Sequence, residues 1–290
     1  MTGEVKKVLK ELDGNGKGHK EDKDDKEDKD HRKEFFIQKY TNGALAEAVL
    51  VKGLPLFLQV DGGQPVLKEK IELPSMILKP LDKIAYLNKP YEFDSLDEIK
   101  AYVEKAKRET IGSLFLKAKG IWTKYIDGSE HHINICAADT IFTYFQDKMG
   151  MTHYLIFVGD NDTGKSNNLV VFQYLGYRPL FDTSITPANI YTYLGSIEEG
   201  QGILLEDEAD NIDQSQEKMR IYKVGYKSGT KVSRIETAHG RNQQSYWTFC
   251  FKAMSAEKQP DSTIAKGFNE RTFVIQCRAG NPQYDIAEVI

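Results

Sequence analysis

Residues Gly159 to Ser166 read Gly-Asp-Asn-Asp-Thr-Gly-Lys-Ser and satisfy every fixed position of the phosphate-binding pattern G-x-x-x-x-G-K-[ST]. This pattern constrains the fold because its chemistry works only at the junction of a buried strand and a helix. The flanks meet that demand. His153 to Val158 is a short apolar run ending at the first glycine, and Asn167 to Leu175 lacks Gly and Pro and aligns Leu169, Val170 and Tyr174 on one helical stripe. In such a junction the backbone N–H groups of Gly159, Asp160, Asn161, Asp162, Thr163, Gly164 and Asn167 converge on phosphate oxygens. Lys165 adds a point charge, and Ser166 offers a hydroxyl to Mg²⁺. The expected ligand is a nucleoside triphosphate with magnesium.

Around this core, 290 residues allow one large domain or two modest ones. The net charge of −4 gives no bulk signal for nucleic acid, so any basic surface has to be local. Cys136, Cys250 and Cys277 are far apart and odd in number, the pattern of reduced core thiols in a cytoplasmic protein. No apolar run reaches membrane-spanning length, and the N-terminus has no secretory apolar stretch, so a soluble, membrane-free protein is expected.

Three regions are expected along the chain. Every residue from Lys20 to Asp30 is charged, so residues 1–33 form a disordered tail, a solvated linker to an upstream domain. Residues 34–150 form an α+β accessory region. Its expected elements are strands near Ala48–Lys52 and Leu56–Val60, a helix opened by Ser95 and Glu98 with Ile99, Val103 and Ala106 inward, and a helix over Ala137–Lys148. His131 and His132 read as loop residues beside a core Cys136, because they lack the paired spacing of a zinc site.

Residues 151–290 form the phosphate-loop domain, a three-layer α/β unit with a largely parallel sheet. Its further strands are expected at Leu180–Ile185, Gly202–Leu205, Trp247–Ala253 and Thr272–Gln276. Helices are expected at Pro187–Leu194 and Gln214–Tyr222.

Ile203-Leu-Leu-Glu-Asp-Glu208 is the second chemical signal: a buried strand ending in carboxylates, with Asp207 placed 42 residues after Lys165. Asp207 suits the Mg²⁺ shell and Glu208 suits activation of a water, the division of labour that phosphoryl transfer needs. Glu206 and Asp210 leave the register open by one position.

Together with Lys223-x-Gly225-Tyr-Lys-x-Gly229-x-Lys231-Val-x-Arg234, this order resembles the ATPase core of superfamily 3 helicases and the related primase-associated helicases of the AAA+ class. The resemblance spans about Tyr154 to Cys277. It implies a P-loop NTPase fold, ATP hydrolysis with Mg²⁺, and a homo-oligomeric ring. It also implies a β-hairpin whose Lys227, Lys231 and Arg234 grip single-stranded DNA, and a primase or other DNA replication partner. Ser255 falls where the family carries an asparagine sensor before a proline, here Pro260. Arg271 matches the arginine inserted into a neighbour's site, which would make Lys165, Glu208, Ser255 and Arg271 the catalytic set. The family reading is a DNA helicase or translocase motor. Its rivals are an AAA+ helicase loader or nucleotide switch, a small-molecule kinase, which the absence of an arginine-rich lid disfavours, and a degenerate scaffold.

Overall fold

A computed structural model describes residues 32–41, 45–81, 91–195, 197–210, 212–236, 242–261 and 263–286. The charged tail expected over residues 1–33 lies almost wholly outside these described residues. Among them no helix is long and apolar enough to cross a membrane.

The described residues divide into two compact units, one through Arg108 and one from Glu109 onward. In the first unit, β1 (Lys33–Ile37), β6 (Ile71–Glu72) and β7 (Met76–Pro80) form one sheet. A second sheet holds β2 (Lys39–Tyr40), β3 (Ala46–Val51), β4 (Leu54–Asp61) and β5 (Gln64–Lys68), with β8 (Glu92–Phe93) beside β3. The two apolar runs read near Ala48 and Leu56 are the β3–β4 hairpin.

Helix α1 (Leu96–Ala106) opens as its sequence dictates: Ser95 Oγ accepts from Glu98 N at 3.2 Å, and Glu98 Oε2 accepts from Asp94 N at 2.8 Å. Ile99 and Val103 face Val49, Val51, Leu56 and Phe93, whereas Ala106 is exposed at the last turn.

The second unit begins about forty residues before the expected boundary at 150. The reason is a helical pair, α2 (Ile111–Tyr125) and α3 (Glu130–Thr143). Trp122, Ala118, Ile133 and Cys136 share one apolar core with Leu155, Phe157 and Phe172, and Trp122 meets the Phe172 ring edge-on at 4.8 Å. Helix α2 has a full capping box. Thr110 Oγ1 accepts from Ser113 N at 3.1 Å, and Ser113 Oγ accepts from Thr110 N at 2.8 Å. Helix α3 starts seven residues before the Ala137 read from sequence, because Ser129 caps it, so His131 and His132 are helical and not loop residues. Ala138 and Phe145 are exposed, and the buried stripe runs through His132, Cys136, Asp139 and Thr143.

The sheet of this unit has the order β10 (Pro179–Thr183), β11 (Ile203–Asp207), β14 (Lys252–Ala256), β9 (Tyr154–Val158), β15 (Thr272–Gln276), and every neighbouring pair is parallel. Helices α2, α3 and α4 (Lys165–Leu175) cover one face. On the other, Tyr222 of α6 (Gln216–Val224) and Phe268 of α7 (Lys266–Asn269) pack on Tyr154. The arrangement is a mixed α/β fold with a parallel sheet between helical layers, compatible with a P-loop NTPase.

Helix α4 buries Asn168, Leu169, Val171 and Phe172. Tyr174, expected on its inner stripe, is half exposed. Helix α5 (Pro187–Gly195) follows the Thr186-Pro187 start signal. The Trp247–Ala253 run is not one strand. Trp247 ends β13 (Asn242–Trp247), which pairs antiparallel with β12 (Lys231–Glu236), and the sheet strand proper is β14.

Candidate functional site

In a parallel sheet all strands end at the same edge, and here three of those ends meet. Strand β9 delivers the loop from Gly159 to Ser166, β11 delivers Asp207 and Glu208, and β14, which lies between them, delivers Ser255. A cleft of about 1450 Å³ opens over these ends, lined by residues of the phosphate loop and by Ser184, Asp207, Glu208, Asp210, Ser255 and Glu257.

The loop is shaped for an anion. Gly164 sits at φ 72°, a left-handed conformation that glycine adopts without strain, and Asp162 is also left-handed at φ 61°. Gly164 is the N-cap of α4, and no side chain caps that helix end. The first-turn amides therefore face the cleft as donors, reinforced by the helix dipole. Lys165 Nζ donates to the carbonyls of Gly159 at 2.6 Å and Asp160 at 2.7 Å, and Thr163 Oγ1 donates to Asp160 O at 2.7 Å. Lys165 thus bridges the loop with its ammonium at the cleft wall. Asn161 and Asn167 also line the cleft.

Asp207 is the hub. Its Oδ1 accepts from Ser166 Oγ at 2.8 Å, from Ser255 Oγ, and from Glu208 N at 3.2 Å. A hydroxyl from the loop helix and a carboxylate from the acidic strand at hydrogen-bond distance form the donor set Mg²⁺ prefers, since this ion takes one or two protein oxygens and completes its octahedron with phosphate and water. Among the described residues no cluster of three His, Cys, Asp or Glu side chains forms a self-sufficient metal cage. A magnesium ion at Ser166 and Asp207 would therefore be shared with the nucleotide.

Glu208 is exposed at the cleft with φ 55°. Its left-handed backbone is held by neighbours on both sides. Glu208 N donates to Ser255 Oγ at 3.2 Å, Ala209 N donates to Ser255 O at 2.8 Å, Ser184 N donates to Asp207 O at 2.9 Å, and Ser184 Oγ donates to Glu208 O at 3.3 Å. A non-glycine residue in this region costs on the order of 1 kcal/mol, so the clamp is what holds the Glu208 backbone there, with its side chain exposed at the cleft.

The open register of the acidic strand is closed by alternation. Side chains along β11 point to opposite faces, so Leu205 enters the apolar core while Glu206 turns to the other layer. Glu206 is 1% exposed, pairs with Lys218 Nζ and accepts from Tyr222 Oη at 2.6 Å. Burial raises its pKa against the pull of Lys218. Glu206 does not line the cleft, whereas Asp207 and Glu208 do. Asp210 does line it and accepts from Glu257 N at 2.5 Å.

The remaining expected site residues lie elsewhere. Arg271 is at the start of β15, where its carbonyl accepts from Tyr154 N at 2.9 Å, at the opposite edge of the sheet from the phosphate loop. Its guanidinium lies 4.1 Å from the Tyr226 ring centroid, and no ion pair joins it to Glu270 among the described residues. The basic hairpin is displaced from its expected place: α6 runs to Val224, and the strands are β12 and β13, so Lys227 precedes the hairpin. Lys227 is exposed in a turn that bridges to Met151. Lys231 Nζ stands 4.0 Å over the Trp247 ring. Arg234 lies 5.5 Å from the Tyr191 ring and 3.9 Å from a Glu217 oxygen.

Sequence reading missed a second layer of the site. His132 Nε2 meets Asn168 Oδ1 at 2.8 Å, and Asn168 Nδ2 donates to Gly164 O at 3.0 Å, so α3 braces the glycine that starts α4. Burial lowers the pKa of His132, which keeps the ring neutral with its Nε2 proton directed to Asn168. Cys277 and Arg278, at the end of β15, also border the cleft, and burial pushes the Cys277 thiol up to about 11. The contact between His132 and Asn168 spans 36 residues and leaves no local pattern.

No described protein family and no curated protein matches the chain. Among solved structures, the chain is similar to a mutant RuvB from Thermotoga maritima, with a TM-score of 0.36 and 11% identity, over 53% of this chain and 48% of that one.

Proposed function

We propose that this chain is a magnesium-dependent ATPase, and that its hydrolysis drives a DNA helicase or translocase of the superfamily 3-like, AAA+ kind. The observation that carries the ATPase reading is the meeting of Ser166, Asp207 and Ser255 beside an uncapped helix start. Lys165 and the loop amides bind the phosphates, and Ser166 and Asp207 would hold a magnesium ion, which would supply charge neutralisation to the phosphates. Glu208, held at its backbone and solvent-facing, takes the proton of the attacking water. Ser255 orients Asp207 and the Glu208 amide.

The motor reading rests on the hairpin. Lys231 and Arg234 are basic groups set against aromatic faces, the pairing that tracks single-stranded nucleic acid through phosphate attraction and base stacking. A loader or nucleotide switch is the second reading, favoured by one observation: the Ser255 hydroxyl is engaged by Asp207 and the Glu208 amide, so it has less freedom to hold a water. One experiment separates them, the ATPase rate with and without single-stranded DNA, taken with the oligomeric mass. DNA-stimulated turnover in a multimer supports the motor. Slow turnover indifferent to DNA supports the switch.

A further inference from the structure

We propose that Lys223 acts beside Arg271 as a second cation delivered to the cleft of a neighbouring copy of this chain, an inference that rests on the ATPase reading. Four observations lead to it.

The first is convergence. A Cβ added at Gly267 would lie 3.0 Å from Arg271 Nη1 and 3.9 Å from Lys223 Cδ and Cε. The stem of Lys223, from the last turn of α6, and the guanidinium of Arg271 therefore meet over the bare backbone of α7. A side chain at position 267 would crowd the Arg271 guanidinium.

The second is the lack of a counter-ion. Lys223 Nζ donates to Ile264 O at 3.1 Å, and Arg271 rests on the Tyr226 face. Neither forms an ion pair with a carboxylate among the described residues, and both are half-buried. Holding two like charges together without a carboxylate is unfavourable unless an anion is taken up. The carbonyl and the aromatic ring fix both groups in place beforehand, so little ordering cost remains when the anion arrives.

The third is position. Thr272 pairs with Tyr154 and Gln276 with Val158, so five strand steps, roughly 17 Å, separate Arg271 from Gln276 at the edge where the phosphate loop begins. The pair cannot serve the cleft of its own chain.

The fourth is charge complementarity. The cleft rim exposes Asp162, Glu208, Asp210 and Glu257, and its lysine and arginine side chains are limited to Lys165 and Arg278 among the described residues. The opposite edge of the sheet carries Lys223, exposed Lys266 and Arg271 against one exposed acid, Glu270, and so is basic on balance. One copy's basic edge thus matches another's acidic edge. That contact is heterologous, and repetition of a heterologous contact closes into a ring when its rotation permits.

In the step this completes, water adds to the γ-phosphorus, the P–O bond to the ADP oxygen breaks with its electron pair, and the water proton passes to Glu208. The charge that spreads over the phosphoryl oxygens is met by Lys165 from within and by Lys223 and Arg271 from the neighbour.

The test uses the full chain in steady-state ATPase and nucleotide-binding assays. Lys223→Ala is expected to keep ATP affinity within about twofold and to lose roughly tenfold or more in turnover, with Lys223→Arg retaining most of it. Mixing Lys223→Ala with Glu208→Gln subunits should raise activity above the sum of the two alone, because the Glu208→Gln subunit lends an intact lysine to a cleft with an intact base. Wild-type turnover in Lys223→Ala overturns the proposal. So does a mixture that stays at the sum of its parts while both variants assemble normally, or a monomeric mass for the active protein. If wild-type protein shows no turnover, or Lys165→Ala hydrolyses ATP equally well, the ATPase reading itself fails and takes this one with it.

Discussion

Ser166 Oγ lies 2.8 Å from Asp207 Oδ1, joining the helix that leaves the phosphate loop to the strand that ends in carboxylates. The two residues are 41 positions apart in the chain, and only the parallel sheet, with β14 inserted between β9 and β11, brings them together. This contact defines where a metal would be shared, and it separates the roles of neighbouring acids.

The first prediction follows from that separation. Asp207→Asn is expected to weaken Mg²⁺-dependent ATP binding. Glu208→Gln should leave binding of Mg·ATP intact and lower turnover by roughly 10²-fold or more, as for loss of a positioned base. Measured Kd and kcat for the two variants check this, and equal damage to binding in both would remove the division of roles.

Glu206 carries the opposite expectation. It is buried with Lys218 and Tyr222 on the face of β11 away from the cleft. Glu206→Gln leaves the Lys218 ammonium buried without its counter-charge, a loss on the order of 3 kcal/mol. Its effect should therefore appear in the denaturation midpoint. Among molecules that remain folded, the Kd for ATP should be close to that of the wild type. A variant that is stable but inactive would instead put Glu206 in the chemistry.

The difference between Asp207 and Glu206 also marks how far the sequence could be read. The loop, the acidic strand, the Thr186-Pro187 helix start and the last strand were legible because each is local: a motif, a short apolar run or a cap. Helix α2 was not, because Gly112 and Gly120 interrupt its pattern, although Thr110 and Ser113 cap it fully. The boundary near residue 108 was hidden for a different reason: the packing of Trp122 on Phe172 joins segments fifty residues apart. The hairpin was misplaced because Gly225 and Gly229 look like hairpin turns, whereas Gly225 ends α6 and the partner strand lies beyond Glu236. The register of Glu206, Asp207 and Glu208 needed only the two-residue alternation of a strand, but which face held the cleft was a tertiary fact.

For the hairpin, the expectation is electrostatic. If Lys231 and Arg234 contact the phosphate backbone of single-stranded DNA, affinity falls steeply with salt and shows little sequence preference. Replacing both by alanine should flatten the logarithmic salt slope by about two units and abolish any DNA stimulation of turnover, while the basal rate persists. Binding titrations at several salt concentrations decide it. An unchanged slope would assign these cations to their partners within the chain, Trp247 for Lys231 and Tyr191 with Glu217 for Arg234.

The brace formed by His132 leads to a pH dependence with a definite sign. Burial holds the pKa of His132 below its ordinary value of 6.5, so the folded protein keeps the ring neutral while the unfolded chain takes up a proton near that value. The stabilisation is therefore fully present above about pH 6.5 and is lost as pH falls toward the folded pKa, because only the unfolded state gains the proton in that window. Glu206, whose pKa is raised by burial, contributes with the opposite sign, but it is common to both proteins in a comparison of wild type with His132→Gln. Glutamine keeps an N–H donor for Asn168 Oδ1 and cannot be protonated. Acidification from pH 7.5 to about pH 5 should therefore lower the wild-type denaturation midpoint more than that of His132→Gln. The variant should still bind ATP near the wild-type level, whereas His132→Ala, which leaves Asn168 without its partner, should bind more weakly at every pH. Parallel pH profiles for wild type and His132→Gln would show that the buried imidazole is not the acid-sensitive group, and an undiminished affinity in His132→Ala would detach the brace from the phosphate loop.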